Sequence, residues 1–178
     1  MSSIEFLDVL DEQNNIVRTV TKSEIYRSQL SHRVVHVMLV YGDQIFITKR
    51  SNQVRYLPGY YCSSAAGHVQ SGESPQEGAI RELKEEIGLS GPIVFCEDFS
   101  FVHEFRVQVS LFLKYFDPKL DQLKLESSEV EQGQFINISE VLAMEQSAFH
   151  PQLSICIEKT KSFLNSKLLN KEKHCCPV

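Results

Sequence analysis

The segment from Ser74 to Gly88 constrains this chain more than any other. Ser74 is a good N-cap, Pro75 suits the first helical position, Glu77 completes a Ser-x-x-Glu capping box, and Gly88 stands where a C-terminal stop belongs. A helix is therefore predicted over Pro75 to Ile87. On its surface Ala79, Ile80, Leu83 and Ile87 fall within about 100° of one another, a narrow apolar stripe suited to packing on a sheet. Glu82, Glu85 and Glu86 fall elsewhere, and their i, i+3, i+4 spacing gathers three carboxylates within one turn, where like charges repel. Hard divalent cations such as Mg²⁺ and Mn²⁺ prefer oxygen ligands and relieve such a cluster. Taken alone, three glutamates read more simply as a solvated acidic face, because surface helices are commonly glutamate-rich. The residues around them overturn that reading.

A sheet for the helix to pack on is visible in the rest of the chain. Ile4 to Leu10 and Ile16 to Val20 are short apolar runs flanking Asp-Glu-Gln-Asn-Asn and predict a hairpin. Thr21 to Gln29 follows as a short helix or irregular connection. Val34 to Tyr41 and Gln44 to Lys49 flank Gly42-Asp43 as a second hairpin, its first strand apolar enough to be covered on both faces. Leu57-Pro58-Gly59 breaks the pattern before a short strand toward Ala66. Past the helix, Ile93 to His103, Arg106 to Phe116 and Gln134 to Ile138 predict strands, and Ser139 to Glu145 and Pro151 to Leu169 predict helices. The expected class is α/β, with a mixed sheet and helices on both faces.

At 178 residues the chain suits one domain, expected over residues 1–170 with a polar tail at 171–178. A net charge of −5 gives no basic footprint for a nucleic-acid backbone, so no such partner is expected. The first residues lack a signal-like basic and apolar pattern, and no apolar run approaches the roughly 20 residues that span a bilayer, so a cytoplasmic protein is expected. Five cysteines are an odd number without ligand-like spacing, indicating reduced thiols rather than disulfides or zinc. Cys175-Cys176-Pro177-Val178 has the bare form of a prenylation signal, but its penultimate proline makes a poor one, and no membrane attachment is expected.

From Gly67 to Leu89 the chain reads G-HVQSG-E-SPQEGAI-RE-L-K-EE-I-G-L, which fits G-x5-E-x7-R-E-U-x-E-E-x-G-U (U aliphatic) at every fixed position. Chance agreement is on the order of one in ten to the tenth per start. This segment resembles the box of the Nudix hydrolase family. The resemblance implies an α/β/α sandwich with a central mixed β-sheet, and hydrolysis of a phosphoanhydride bond, X-O-P-O-P, in a small-molecule diphosphate. It implies that Glu82, Glu85 and Glu86 hold Mg²⁺ or Mn²⁺, with the Gly67 carbonyl completing the shell and Glu82 in some members deprotonating water. Arg81 and Glu73 match the pair that orients these ligands. Homodimers are common in the family.

Beyond the box, Leu10-Asp11-Glu12, His32-Arg33, Thr48-Lys49-Arg50-Ser51, Leu57-Pro58-Gly59-Tyr60 and Ala66-Gly67-His68-Val69 resemble the branch that includes isopentenyl-diphosphate isomerase and its hydrolase-like relatives. That resemblance raises a double-bond isomerase as an alternative, with a non-catalytic ligand-binding module as a third reading. Against the isomerase, Ala66 stands where its cysteine belongs, Cys62 is expected to point elsewhere, and the facing stretch offers only Glu104. The R-E-U-x-E-E run, degraded in isomerases, is whole here. Lys49, Arg50 and Arg55 are expected near the site as donors to substrate phosphates, each weighed against a solvated surface charge. Tyr60 is a candidate to flank a base or an apolar tail, and His68 to touch a phosphate. In the acidic stretch Glu126, Glu129 and Glu131, Glu129 is the candidate general base. No signature identifies the substrate.

Overall fold

Two apolar runs open the fold as an antiparallel hairpin, β1 (Phe6–Leu10) and β2 (Ile16–Thr21). Asn14 turns the chain at φ +66°, a left-handed conformation that asparagine tolerates. The computed structural model describes residues 4–173, so the Cys175-Cys176-Pro177-Val178 motif lies outside the described residues. A short helix, α1 (Lys22–Ser28), follows, with the Thr21 hydroxyl accepting from the Glu24 amide as its N-cap. Leu7, Val9 and Ile25 close a small core between hairpin and helix, and the hairpin stands as a sheet of its own.

The main sheet has seven strands: β3 (His32–Tyr41), β4 (Gln44–Arg50), β5 (Tyr61–Cys62), β6 (Ala65–His68), β7 (Val94–Val102), β8 (Arg106–Tyr115) and β9 (Val130–Asn137). Its path runs β5-β4-β3-β8-β7, with β6 also paired to β3 and β9 to β4. The pairing of β3 with β8 is parallel and the rest are antiparallel, so the sheet is mixed, as expected. The single strand expected before Ala66 is two, because Ser63 and Ser64 interrupt it. Their hydroxyls bond inward, Ser64 accepting from the Leu39 amide at 2.7 Å and Ser63 lying 2.7 Å from His36 Nδ1 and 3.2 Å from the Ala65 carbonyl. Strand β9 starts at Val130, earlier than predicted from apolar content, since its polar first half still pairs with β4.

Helix α2 (Pro75–Ile87) has the predicted bounds, a complete capping box at Ser74 and Glu77, and Gly88 at φ +74° closing its C-terminus. Its Ala79, Leu83 and Ile87 pack on Val35, Val37 and Leu39 of β3. Burying Leu83 and Ile87 stabilises this layer by about 1.5–3 kcal/mol each. Ile80, expected in the stripe, is only half-buried, and Glu86 joins the buried face instead. Alternate β3 residues, Met38 and Val40, face α3 (Ile138–Ala143) and α4 (Leu153–Lys173), which cover the other side through Val141, Leu153 and Ile157. The result is an α/β/α sandwich. Helix α4 continues to Lys173, past the end expected at Leu169. Among the described residues no helix is long and apolar enough to cross a membrane.

Candidate active site

The capped helix α2 presents its carboxylates toward β6, which runs antiparallel to β3 and stops at His68. The three glutamates of the helix end in different surroundings. Glu86 is buried, with the Ala66 amide donating to its Oε2 at 3.2 Å. Burial, reinforced by the charge of Glu82, holds its carboxyl well above the usual carboxylate range. Glu82 is mostly buried and its carboxylate lies directly over Gly67, so any side chain at 67 would have to push that carboxylate aside. Its carboxyl is also held up by burial, which outweighs the opposing pull of Arg81. Glu85 is the exposed member, with 59% of its side-chain surface in solvent.

Arg81 ties this group together. Its Nε and one terminal nitrogen donate to Glu73 at 2.7 and 3.0 Å, the same terminal nitrogen donates to the His68 carbonyl at 2.8 Å, and the other donates to Glu82 at 2.7 Å and Glu85 at 3.2 Å. Glu73 also accepts from the Gln70 amide at 3.0 Å, and the Arg81 hydrogen bond is the main reason its carboxyl sits below the usual range. The guanidinium therefore fixes the loop before the helix, the end of β6 and two box carboxylates at once.

These groups border a cavity of about 310 Å³. Of the residues expected at the site, Glu82, Glu85, Glu86, Arg81, Gly67, Arg50, His68 and Glu129 line it. Glu73 stands behind Arg81. Lys49, Arg55 and Tyr60 are not brought to it. Lys49 and Arg50 are successive residues of β4 at a register shift against β9, where Arg50 borders this cavity and Lys49 borders a separate small pocket and pairs with Glu131 at 3.4 Å. Arg55 is exposed on the loop after β4, and Tyr60 is half-buried outside the cavity. Glu126 caps its own turn, leaving Glu129 as the member of the acidic stretch that reaches the cavity.

Several lining residues had not been singled out: Tyr26, His36, Tyr56, His150 and Gln152. One signal was available, since His36 is a polar residue in the otherwise apolar run of β3. Cys62, expected to point elsewhere, borders the cavity, and burial keeps its thiol protonated.

Charge bookkeeping decides what the cavity can take. Six carboxylates line it (Glu5, Glu82, Glu85, Glu86, Glu104 and Glu129) against three cations, Lys22, Arg50 and Arg81. Lys22 pairs with Glu5 and Arg81 is committed to carboxylates, whereas Arg50 has no ion pair among the described residues and anchors its Nε on the Tyr56 carbonyl at 3.1 Å. Among the described residues no three acidic, histidine or cysteine side chains converge on one point as they stand, because Glu82 and Glu85 are turned onto Arg81. The donor set nonetheless fits a hard divalent cation: oxygen ligands, excess negative charge, and a buried carboxylate whose ionised form has one amide donor.

The comparisons with known proteins agree with this geometry. The family model described as NUDIX domain matches residues 30–154, more than half of the chain. An uncharacterized Nudix hydrolase of Nostoc sp. is 34% identical over 123 residues, covering 68% of this chain and 73% of that protein. A second, from Yersinia pestis, is 34% identical over 102 residues, covering 57% of this chain and 56% of its own. Among solved structures, DR0079 from Deinococcus radiodurans superposes with a TM-score of 0.74 at 21% identity over 87% of this chain and 98% of that one. The NUDIX domain of Shewanella oneidensis NrtR, solved with ADP ribose, gives 0.62 at 14% identity over 82% and 99%. These last two likenesses show the fold. Together with the complete box, the family match shows that the chain belongs to the Nudix hydrolases, enzymes that act on pyrophosphate bonds in small molecules.

Proposed function

We propose that this chain hydrolyses a phosphoanhydride bond in a small nucleotide-like or isoprenoid diphosphate, with Mg²⁺ or Mn²⁺ held by Glu82, Glu85, Glu86 and the Gly67 carbonyl. The observation that carries the reading is the buried Glu86 beside Glu82 in a cavity lined by twice as many carboxylates as cations. A diphosphate is itself an anion and enters such a cavity only in company with cations. Held by these residues, a divalent ion would supply Lewis-acid chemistry, making a bound water more acidic and offsetting the charge of the diphosphate. Arg81, anchored by Glu73 and the His68 carbonyl, offsets the repulsion of Glu82 and Glu85 while no ion is bound, and these two side chains turn from it toward the ion when one binds. Arg50, free of carboxylate partners and anchored through Nε, is the donor for a substrate phosphate. Glu129 takes the proton of the attacking water.

The test compares wild type with Glu85→Gln on nucleotides, nucleotide sugars, dinucleotides and isoprenoid diphosphates, reading phosphate and pyrophosphate release with Mg²⁺ or Mn²⁺. Glu85 is exposed, so the substitution leaves the fold intact. Metal-dependent turnover of one class, falling at least about a hundredfold in the variant, is the expected result. No turnover by folded wild-type protein on any class would sink the reading. One observation favours a second reading, a double-bond isomerase: Cys62 borders the cavity. Proton exchange into isopentenyl diphosphate, lost in Cys62→Ala, would support it. Tight, metal-independent binding unaffected by Glu85→Gln would instead indicate a binding module.

A further inference from the structure

The carboxylates of the cavity give way at His68 to a cluster of rings. The His68 carbonyl accepts from Arg81, while its Nε2 lies 2.9 Å from the Tyr26 hydroxyl. Tyr26 is the hub of that cluster. Its ring centroid lies 5.7 Å from His68 and 5.8 Å from Phe105, both edge to face, 6.2 Å from Tyr56 and 6.4 Å from His32. Such arrangements set the positive edge of one ring against the negative face of another and hold the rings in a fixed mutual geometry. Five segments contribute: α1, the start of β3, the connection after β4, the end of β6 and the β7–β8 turn. All five rings line the cavity.

The five rings pack on one another, and burial depresses the pKa of His32 and pushes the Tyr26 phenol up to about 12, so these two present uncharged faces, with Arg50 and Glu104 at the edge of the cluster. The adjacent Lys22 is matched by Glu5, through two contacts of 3.0 and 3.1 Å. A charged or strongly hydrated ligand group gains little from such a wall, while an apolar group gains by leaving water. Tyr26, Lys22 and Glu5 all precede residue 30, where the family match begins, so this chain's own N-terminal unit builds part of the wall.

We propose that the ring cluster around Tyr26 is the subsite for the organic group of the diphosphate substrate and selects a compact apolar group, a single ring or a short hydrocarbon chain. The inference rests on the hydrolase reading for the position of the diphosphate. Size points the same way: about 310 Å³ lies at the bottom of the range of about 300–1,000 Å³ typical of ligand sites, and the diphosphate with its cations takes a share of it.

Calorimetric binding of non-hydrolysable methylene-diphosphonate esters in Mg²⁺ buffer tests the subsite separately from catalysis. Wild type is expected to bind the benzyl or the 3-methylbutyl ester at least about tenfold tighter than the methyl ester, as burial of several carbons implies. A preference for benzyl over 3-methylbutyl identifies ring stacking, and equal preference identifies plain apolar burial. Tyr26→Ala brings the larger-to-methyl ratio close to one and leaves methyl-ester affinity within about twofold, while Tyr26→Phe keeps the ratio. Phe105→Ala, at a half-buried turn position, gives the same narrowing if Tyr26→Ala fails to fold. An unchanged ratio in the folded Ala variants, or none above one in wild type, overturns the proposal. A normal binding ratio without turnover of the corresponding diphosphates sinks the hydrolase reading alone.

Discussion

The two parts of the cavity wall were built in different ways. The three glutamates that would hold a metal come from one continuous stretch, Gly67 to Glu86, in which a strand end, a loop and a capped helix fix each group relative to the next, while Glu129 joins them from the far side of the chain. The ring part draws single residues from five segments spread from Tyr26 to Phe105. The first is charged and strained by mutual repulsion; the second is packed from aromatic rings. Chemistry that must hold several like charges in register benefits from a short, rigid stretch, since error in placement grows with the number of independent segments. Selection of an apolar group tolerates looser placement, because burial is non-directional.

The largest effect separating the two parts is expected from Glu86→Gln. Glutamine keeps the shape and the bond from the Ala66 amide but removes a charge that burial already disfavours. Activity should fall at least about a hundredfold, while the thermal midpoint of the metal-free protein stays level or rises. Measured side by side, these outcomes oppose each other, as expected of a group kept for chemistry at the expense of stability. A variant within about tenfold of wild-type activity, or one clearly destabilised, would make Glu86 an ordinary core acceptor.

The same contrast explains what was legible in the sequence. Helix α2, its caps and the box carboxylates were readable because their spacing is local, and the strands followed from alternation and turn residues. Unequal burial of the three glutamates was not readable: spacing puts Glu82, Glu85 and Glu86 on one face, and only packing against β6 shows Glu86 turned inward and Glu85 outward. Lys49 and Arg50 were equivalent in sequence until strand β4 fixed which one faces the cavity. Tyr26 carried no signal at all, since its role depends on contacts up to 79 residues away, at Phe105.

A smaller effect is expected from Arg81→Lys, which keeps the charge and removes the planar fork. Five donor contacts reduce to at most three from one ammonium, so Glu73, Glu82 and the His68 carbonyl no longer share one anchor. Activity should drop about 10–100-fold, with weakened metal dependence visible as a raised metal concentration at half-maximal rate. Substrate preference between compact and bulky groups should not change. A changed preference would show that the two parts of the wall are coupled through His68, whose carbonyl and ring serve one each.

The smallest effect concerns histidines bordering the ring part. His36 is buried, with Nε2 2.6 Å from Gln152 Oε1 and Nδ1 2.7 Å from the Ser63 hydroxyl. A neutral ring protonated on Nε2 donates to Gln152, and its Nδ1 accepts the single Ser63 proton, which goes to this nearer partner at 2.7 Å rather than to the Ala65 carbonyl at 3.2 Å. Burial, opposed by the Gln152 contact and aided by Arg50, depresses its pKa to about 4 from 6.5. Between those values the unfolded chain binds the proton and the folded chain does not, so the stabilisation is complete above pH 6.5 and is lost as pH falls toward 4. A difference of this size corresponds to on the order of 3 kcal/mol. Urea unfolding of metal-free wild type and His36→Gln across pH 7 to 4 reads it, since other groups contribute alike to both. The variant should start less stable at pH 7 and converge on wild type as pH falls. Parallel curves would mean that His36 takes up its proton in the fold as it does in the unfolded chain, so that the ring side of the cavity gains a cation as pH falls through 6.5 and loses its contrast with the carboxylate side there.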